Sequence, residues 1–246
     1  MNRSEPSGRP FVLVHGMFHG GWCWTFVAER LRALGHRVTT PTQTGLGERA
    51  HLMSGDITLG TFVTDVESHV VAEDLTDVVL VGHSFGGAAV TGVVDRIPDR
   101  IAHVVYLDAL VPESGRSVFD TMDPAIVAGR RAKAVDHGSG PVWEPFDVTA
   151  FGIPADHPRA GWVRRRLTPH PVATYETAIE LANPVGNGLP ATYVCTTEPL
   201  YTPLAPSRAW VREHRPQWRW VELATGHDSM ILEPELVATT LHAVAS

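Results

Sequence analysis

Apolar and polar positions follow two different periods along this chain, and the switches between them outline a fold. Phe11-Val12-Leu13-Val14 is an unbroken apolar run that stops at His15-Gly16, and Val78-Val79-Leu80-Val81 is another that stops at Gly82-His83. Short, β-branched runs of this kind predict strands buried on both faces. Further strands are predicted at 36–40, 101–107, 191–196 and 218–223. Between the strands the period lengthens. Val27, Leu31 and Leu34 share one face of a helix predicted over 24–34, and Gly35 is placed to end it. Val63, Val66 and Val70 repeat the pattern over 61–74, and helices are also predicted at 85–96, 206–214 and 233–245. Strands alternating with helices predict an α/β fold whose mostly parallel sheet is flanked by helices on both faces.

The rhythm breaks over 112–190. This stretch is rich in Pro and Gly and carries Phe119, Trp143, Phe146, Phe151, Trp162 and Tyr175. Long irregular segments in compact domains are usually lids or disordered, and the aromatic content argues against disorder. The expectation is one domain, with a core over 8–111 and 191–246 and a cap inserted at 112–190.

Composition narrows the class without naming a chemistry. A chain of 246 residues with 43% hydrophobic and 19% charged residues suits a single globular domain with a large core. The formal net charge of −7 is spread over short patches and gives no electrostatic case for nucleic acid. Arg164-Arg165-Arg166 is the only basic run and reads as a solvated helix face, while Lys133 is the only lysine. Cys23 and Cys195 lie far apart, so they form neither a disulfide framework nor a metal-binding spacing. Residues 1–10 are polar, with no apolar segment of signal-peptide length, and no later run is long enough to span a bilayer. These features predict a soluble cytoplasmic protein with no membrane or nucleic-acid partner, and they are compatible with a homodimer.

The candidate chemistry centres on Gly82-His83-Ser84-Phe85-Gly86-Gly87. A serine flanked by glycines two residues either side, after a strand and before a helix, fits a sharp turn that holds its hydroxyl clear of the sheet. The turn also puts Ser84 at a helix N-terminus, where free N–H groups favour developing negative charge. A serine hydroxyl needs a base, and the base needs a third group to fix its tautomer. His227, one of 13 histidines, stands out because Gly226-His227-Asp228 follows the last predicted strand. In hydrolases built on such a turn the chain order is Ser, acid, His. Glu198, just after the strand at 191–196, is the favoured acid, and Asp108, at the end of the strand 101–107, competes with it. Both stand at carboxyl ends of strands, where open α/β sheets place their ligand crevice. The backbone amides of Met17 and Phe85 are expected to form an oxyanion hole. His15 and His19 fall in a loop and are read as structural, not as a metal pair.

Phe11-Val12-Leu13-Val14-His15-Gly16-Met17-Phe18-His19-Gly20-Gly21-Trp22-Cys23-Trp24, taken with Gly82-His83-Ser84-Phe85-Gly86-Gly87, resembles the α/β-hydrolase family of plant methyl-salicylate-type esterases and S-selective hydroxynitrile lyases. Bacterial carboxylesterases share the pattern. Val194-Cys195-Thr196-Thr197-Glu198 resembles the methylesterase segment that ends in the triad Asp, which implies Glu198 in that role. Gly226-His227-Asp228-Ser229-Met230 matches the histidine segment. The likeness spans the chain to about residue 112 and from 191 onward, and does not extend to the cap. It implies an α/β-hydrolase fold and a cofactor-free, metal-free serine carboxylesterase. Such an enzyme would take a small apolar or aromatic ester through an acyl-enzyme. The expected pocket is lined by Gly16, Phe18, Asp108, Trp143, Trp162 and Met230. The alternatives are a lyase of the hydroxynitrile type and a non-enzymatic small-molecule receptor. The lyases carry Thr where Gly16 stands and Lys where Asp228 stands, and a carboxylate there would oppose cyanide departure.

Overall fold

The computed structural model describes residues 8–136 and 138–245, so residues 1–7 of the polar N-terminal stretch lie outside the described residues. The apolar runs form a six-stranded sheet made of β1 (Gly8–Val14), β2 (His36–Thr39), β3 (Val78–His83), β4 (Ile101–Leu107), β8 (Ala191–Thr196) and β9 (Arg219–Leu223). Its order is β2-β1-β3-β4-β8-β9, and every pairing in it is parallel. The chain steps outward from β1 to β2 and then returns to the other side of β1 with β3. This switch opens a crevice at the carboxyl ends of β1 and β3.

Side chains of successive strand residues face opposite ways, and the two faces carry separate cores. Val12, Val14, Leu80, Val104, Tyr106 and Tyr193 pack with α2 (Leu59–Ala72) and α3 (Gly86–Arg96). Phe11, Leu13, Val79, Val81, Val105 and Val194 pack on the opposite face with α1 (Thr25–Ala33) and α9 (Pro234–Ala245). Thr58 and Thr61 form a reciprocal capping box that starts α2 two residues earlier than its apolar spacing predicts. The segment predicted as helix from residue 24 begins instead as a 3-10 turn over Gly21–Trp24.

The described residues of 112–190 contribute no strand to the main sheet. They hold α4 (Pro124–Arg131), α5 (Ala160–Arg164), α6 (Ala173–Glu176) and a small antiparallel sheet of β5 (Val135–Asp136), β6 (Pro141–Trp143) and β7 (His170–Pro171). Elements this short leave no period to read. Trp143, Phe119 and Tyr175 knit the segment together, with ring centroids 5.0–5.8 Å apart. Tyr175 then stacks on Phe85 at 4.6 Å, which seats the insertion beside the turn after β3. After β8 come α7 (Ala205–His214) and, past β9, α8 (Ser229–Leu232). Among the described residues no helix is long and apolar enough to cross a membrane.

Candidate active site

Three residues from the ends of three strands meet at the carboxyl edge of the sheet. Ser84 follows β3 with φ of 53°, a left-handed conformation that costs a non-glycine residue about 1–3 kcal/mol. The surroundings hold it there. Its N–H donates to Leu107 O at 3.2 Å, and its carbonyl accepts from Gly87 and Leu110. Helix α3 reaches this close only because of Gly86. A Cβ on Gly86 would lie 2.6 Å from His15 O, inside the loop that follows β1. That loop in turn presses on the serine, since a Cβ on Gly16 would stand 2.8 Å from Ser84 Cβ.

His227 lies past β9 and is 2% exposed. Its Nε2 is 2.9 Å from Ser84 Oγ and its Nδ1 is 2.7 Å from Asp108 Oδ2. A carboxylate can only accept, so Nδ1 carries the proton and Nε2 is left to accept from the serine. The ring of Tyr201 covers the imidazole at 3.9 Å, nearly parallel to it. The backbone behind is fixed by His83, whose Nε2–H donates to His227 O at 3.0 Å. Burial drives the His83 imidazole down to about 3, so it stands neutral in that bond.

Asp108 terminates β4 and is fully buried, with φ of 41°. Besides His227 it accepts from Thr196 Oγ1 at 2.7 Å and from Arg208 Nη1 at 3.0 Å. Burial raises its carboxyl, but the bond to His227, the Thr196 hydroxyl and the Arg208 charge outweigh that and hold it below the usual carboxylate range. The expectation for Glu198 is therefore corrected: Asp108, not Glu198, meets the histidine. The end of β8 delivers the Thr196 hydroxyl to the carboxylate. One turn on, the Glu198 N–H is drawn to Thr225 O at 3.0 Å and the residue is exposed. Arg208 and Thr196 are the residues missed in the sequence. Arg208 had a signal, because it shares the inward stripe of α7 with Leu204 and Val211, where an arginine is out of place unless paired.

Met17 is 3% exposed and Phe85 fully buried, and neither backbone amide donates to another described residue. Of the residues expected in the pocket, Gly16 and Asp108 touch the site directly. Phe18 packs on Phe146 at 4.9 Å, and Trp143 lies one layer back, against Tyr175. Two expectations are corrected. Trp162 stands edge-on to Trp22 at 5.1 Å and against Phe26 of α1 at 5.3 Å, beneath Arg166, so it packs behind Trp22. Met230 is buried in the core shared with α9.

A second buried group lies beside these three residues. His19 Nε2 is 3.0 Å from Asp228 Oδ2, and its Nδ1 is 2.7 Å from Met17 O. Both nitrogens face acceptors, which makes His19 doubly protonated. Burial lowers its basicity, but the Asp228 charge and hydrogen bond prevail and raise it. Asp228 is held down in the same way, burial being outweighed by the His19 charge. Ligand atoms of His83, His227 and Asp228 lie within 4.8 Å of one another, close enough to hold a metal ion. Both His227 nitrogens are committed to Ser84 and Asp108, and Asp228 Oδ2 to His19, while Asp228 Oδ1 and His83 Nδ1 have no hydrogen-bond partner among the described residues.

A parallel, doubly covered sheet that gathers a serine, a histidine and a carboxylate at its carboxyl edge has the layout of a hydrolase. The profile of the alpha/beta hydrolase family matches residues 11–240, and the chain belongs to that family. It is 41% identical to the carbendazim-hydrolyzing esterase of Nocardioides sp. strain SG-4G over 244 residues, spanning 95% of this chain and 98% of that one. It is 38% identical to methylesterase 2 of Arabidopsis thaliana over 115 residues, 46% of this chain and 44% of that one. Among solved structures, an extracellular α/β-hydrolase from a Paenibacillus species superposes with a TM-score of 0.78 at 25% identity, covering 97% of this chain and 99% of that one.

Proposed function

We propose that this chain is a serine carboxylic-ester hydrolase that works through an acyl-enzyme on Ser84. Ester hydrolysis as the reaction class follows from the family together with a full-length esterase relative. The observation that carries the assignment of roles is the unbroken hydrogen-bonded line from Asp108 through His227 to Ser84, at 2.7 and 2.9 Å.

In this reading Ser84 Oγ attacks the ester carbonyl carbon while His227 Nε2 takes its proton. Asp108 keeps Nδ1–H in place and offsets the charge that forms on the imidazole. The carbonyl oxygen becomes an oxyanion, and the amides of Met17 and Phe85 donate to it. His227 returns the proton to the departing alkoxide, which leaves as the alcohol and puts the acyl group on Ser84. Water then attacks the acyl carbon, again giving its proton to His227, and the acid leaves with Ser84 restored. Segment 112–190 acts as the cap and, through Phe146, supplies an apolar wall that suits a small apolar or aromatic acyl or alcohol group.

Asp228, ion-paired with His19, leaves no net positive charge beside the base to assist a departing anion such as cyanide, which argues against the lyase alternative. The complete triad argues against a receptor. Hydrolysis of p-nitrophenyl acetate, butyrate and octanoate by wild type and Ser84→Ala tests the proposal. Turnover with a burst of p-nitrophenolate that vanishes in Ser84→Ala is expected. Turnover that survives in Ser84→Ala would remove the nucleophile from the account.

A further inference from the structure

A cavity of about 580 Å³ opens on His227 and is walled by α4 and the segments around Phe146 and Tyr201. Among the described residues the only charged ones along its wall are Arg130 and Lys133, and no carboxylate lines it. Two cations and no acid mark an unusual place in a chain with a net charge of −7.

Arg130 is built into that wall. Trp143 Nε1–H donates to Arg130 O at 2.8 Å and fixes the end of α4. The guanidinium lies over the rings of Tyr175 and Trp143, at 5.4 and 5.9 Å from their centroids. Its Nη1 is buried and has no hydrogen-bond acceptor. A guanidinium cannot shed its proton to relieve that deficit, so Nη1 is short of an acceptor even with Tyr175 beside the group. Its neighbour Arg131 points outward and is paired with Glu176 at 3.0 Å. The same helix thus pairs its outer arginine with a carboxylate and leaves its inner one, beside Tyr175, without an ion pair among the described residues. Lys133, the chain's only lysine, is exposed at the mouth and forms no ion pair among the described residues.

Resting on the esterase reading above, we propose that the ester this site takes carries a carboxylate remote from the scissile carbonyl. Arg130 binds that carboxylate through its fork and Lys133 attracts it at the entrance. The substrate class is then the monoester of a dicarboxylic acid, or an ester whose alcohol part bears an acid group. Planar, charge-assisted recognition of this kind is what an arginine held on aromatic faces is suited to provide.

The test compares p-nitrophenyl monoesters of succinate, glutarate and adipate with p-nitrophenyl butyrate. Wild type should favour at least one of the anionic esters by about tenfold or more in kcat/KM, mainly through KM, with the preference shrinking as salt is raised. In Arg130→Gln the ratio of anionic to neutral rates should fall toward one. Lys133→Glu, at an exposed position where folding is not at stake, should push it lower than in wild type. A wild-type enzyme that hydrolyses butyrate without preferring any anionic ester overturns the proposal and leaves the esterase reading standing. If no ester is hydrolysed, the esterase reading fails on its own. Glutarate then serves as the probe: thermal stabilisation by glutarate that is lost in Lys133→Glu supports the anion site, and its absence in wild type refutes it.

Discussion

Asp108 is a buried carboxylate in contact with a histidine, a hydroxyl and a guanidinium, and this crowding makes its role testable at a single position. Asp108→Asn preserves its shape but replaces one acceptor oxygen with a donor, so the imidazole would turn to the wrong tautomer. A fall of roughly 10³–10⁴ in kcat is expected, measured on p-nitrophenyl butyrate. Glu198→Gln changes an exposed side chain and should stay within a few-fold of wild type. Equal losses in both variants would count against Asp108. The sequence made Ser84 and His227 legible because each is marked by its neighbours, a strand before and a tight turn after. The choice of acid had no such mark. Asp108 and Glu198 both follow strands in permitted chain order, and what separates them is a backbone bond from Glu198 to Thr225 together with the Thr196 hydroxyl. Neither can be seen without β8 laid beside β4.

Helix α7 shows how an element far from Ser84 bears on the site around it. Its inner face presents Arg208, only 7% exposed, whose Nη1 reaches Asp108 at 3.0 Å and whose Nη2 donates to Tyr201 O at 2.6 Å. One side chain thereby supports both the carboxylate and the residue stacked over His227. Arg208→Met fills the space but withdraws the charge. Because that charge helps hold the Asp108 carboxyl down, its loss should move the acid limb of the kcat/KM profile to higher pH. Breaking one side of a buried pair should also cost about 3–5 kcal/mol in a urea denaturation series. An unchanged acid limb alongside lost stability would make Arg208 purely structural. The main strands were readable because buried parallel strands carry unbroken apolar runs. The elements of 112–190 were not, since strands of two or three residues and helices of four or five have no period, and their packing rests on aromatic contacts between distant residues.

The molecule as a whole buries an unusual number of histidines at the sheet edge, and their titration ties stability to pH. Burial lowers His15 and His83 from 6.5 to about 3. Both stay neutral in the native state: His15 Nε2 accepts from the Gln43 amide at 3.1 Å. Below pH 6.5 the unfolded chain takes up protons that the native chain refuses. Their contribution is therefore intact above that value and drains away as pH falls toward about 3. Each can supply a slope of up to about 1.4 kcal/mol per pH unit. His19, raised by its partner Asp228, has the opposite sign: its contribution is present below its unfolded value and is lost as pH rises through the native one. Urea midpoints should thus fall steadily from pH 6.5 toward 4, and less steeply in His15→Gln. A flat profile over that range would mean that these imidazoles are hydrated in the native state.

If the Asp108–His227–Ser84 line makes an acyl-enzyme, the acyl group can be caught where it lands. Enzyme mixed with p-nitrophenyl butyrate is quenched in acid within the burst and digested, and the butyryl group is located by peptide mass. A butyryl group on Ser84 is expected to build up with the p-nitrophenolate burst, and to form far more slowly in Asp108→Asn but not in Glu198→Gln. A butyryl group on another residue, or turnover with no acylated peptide at any quench time, would contradict that expectation.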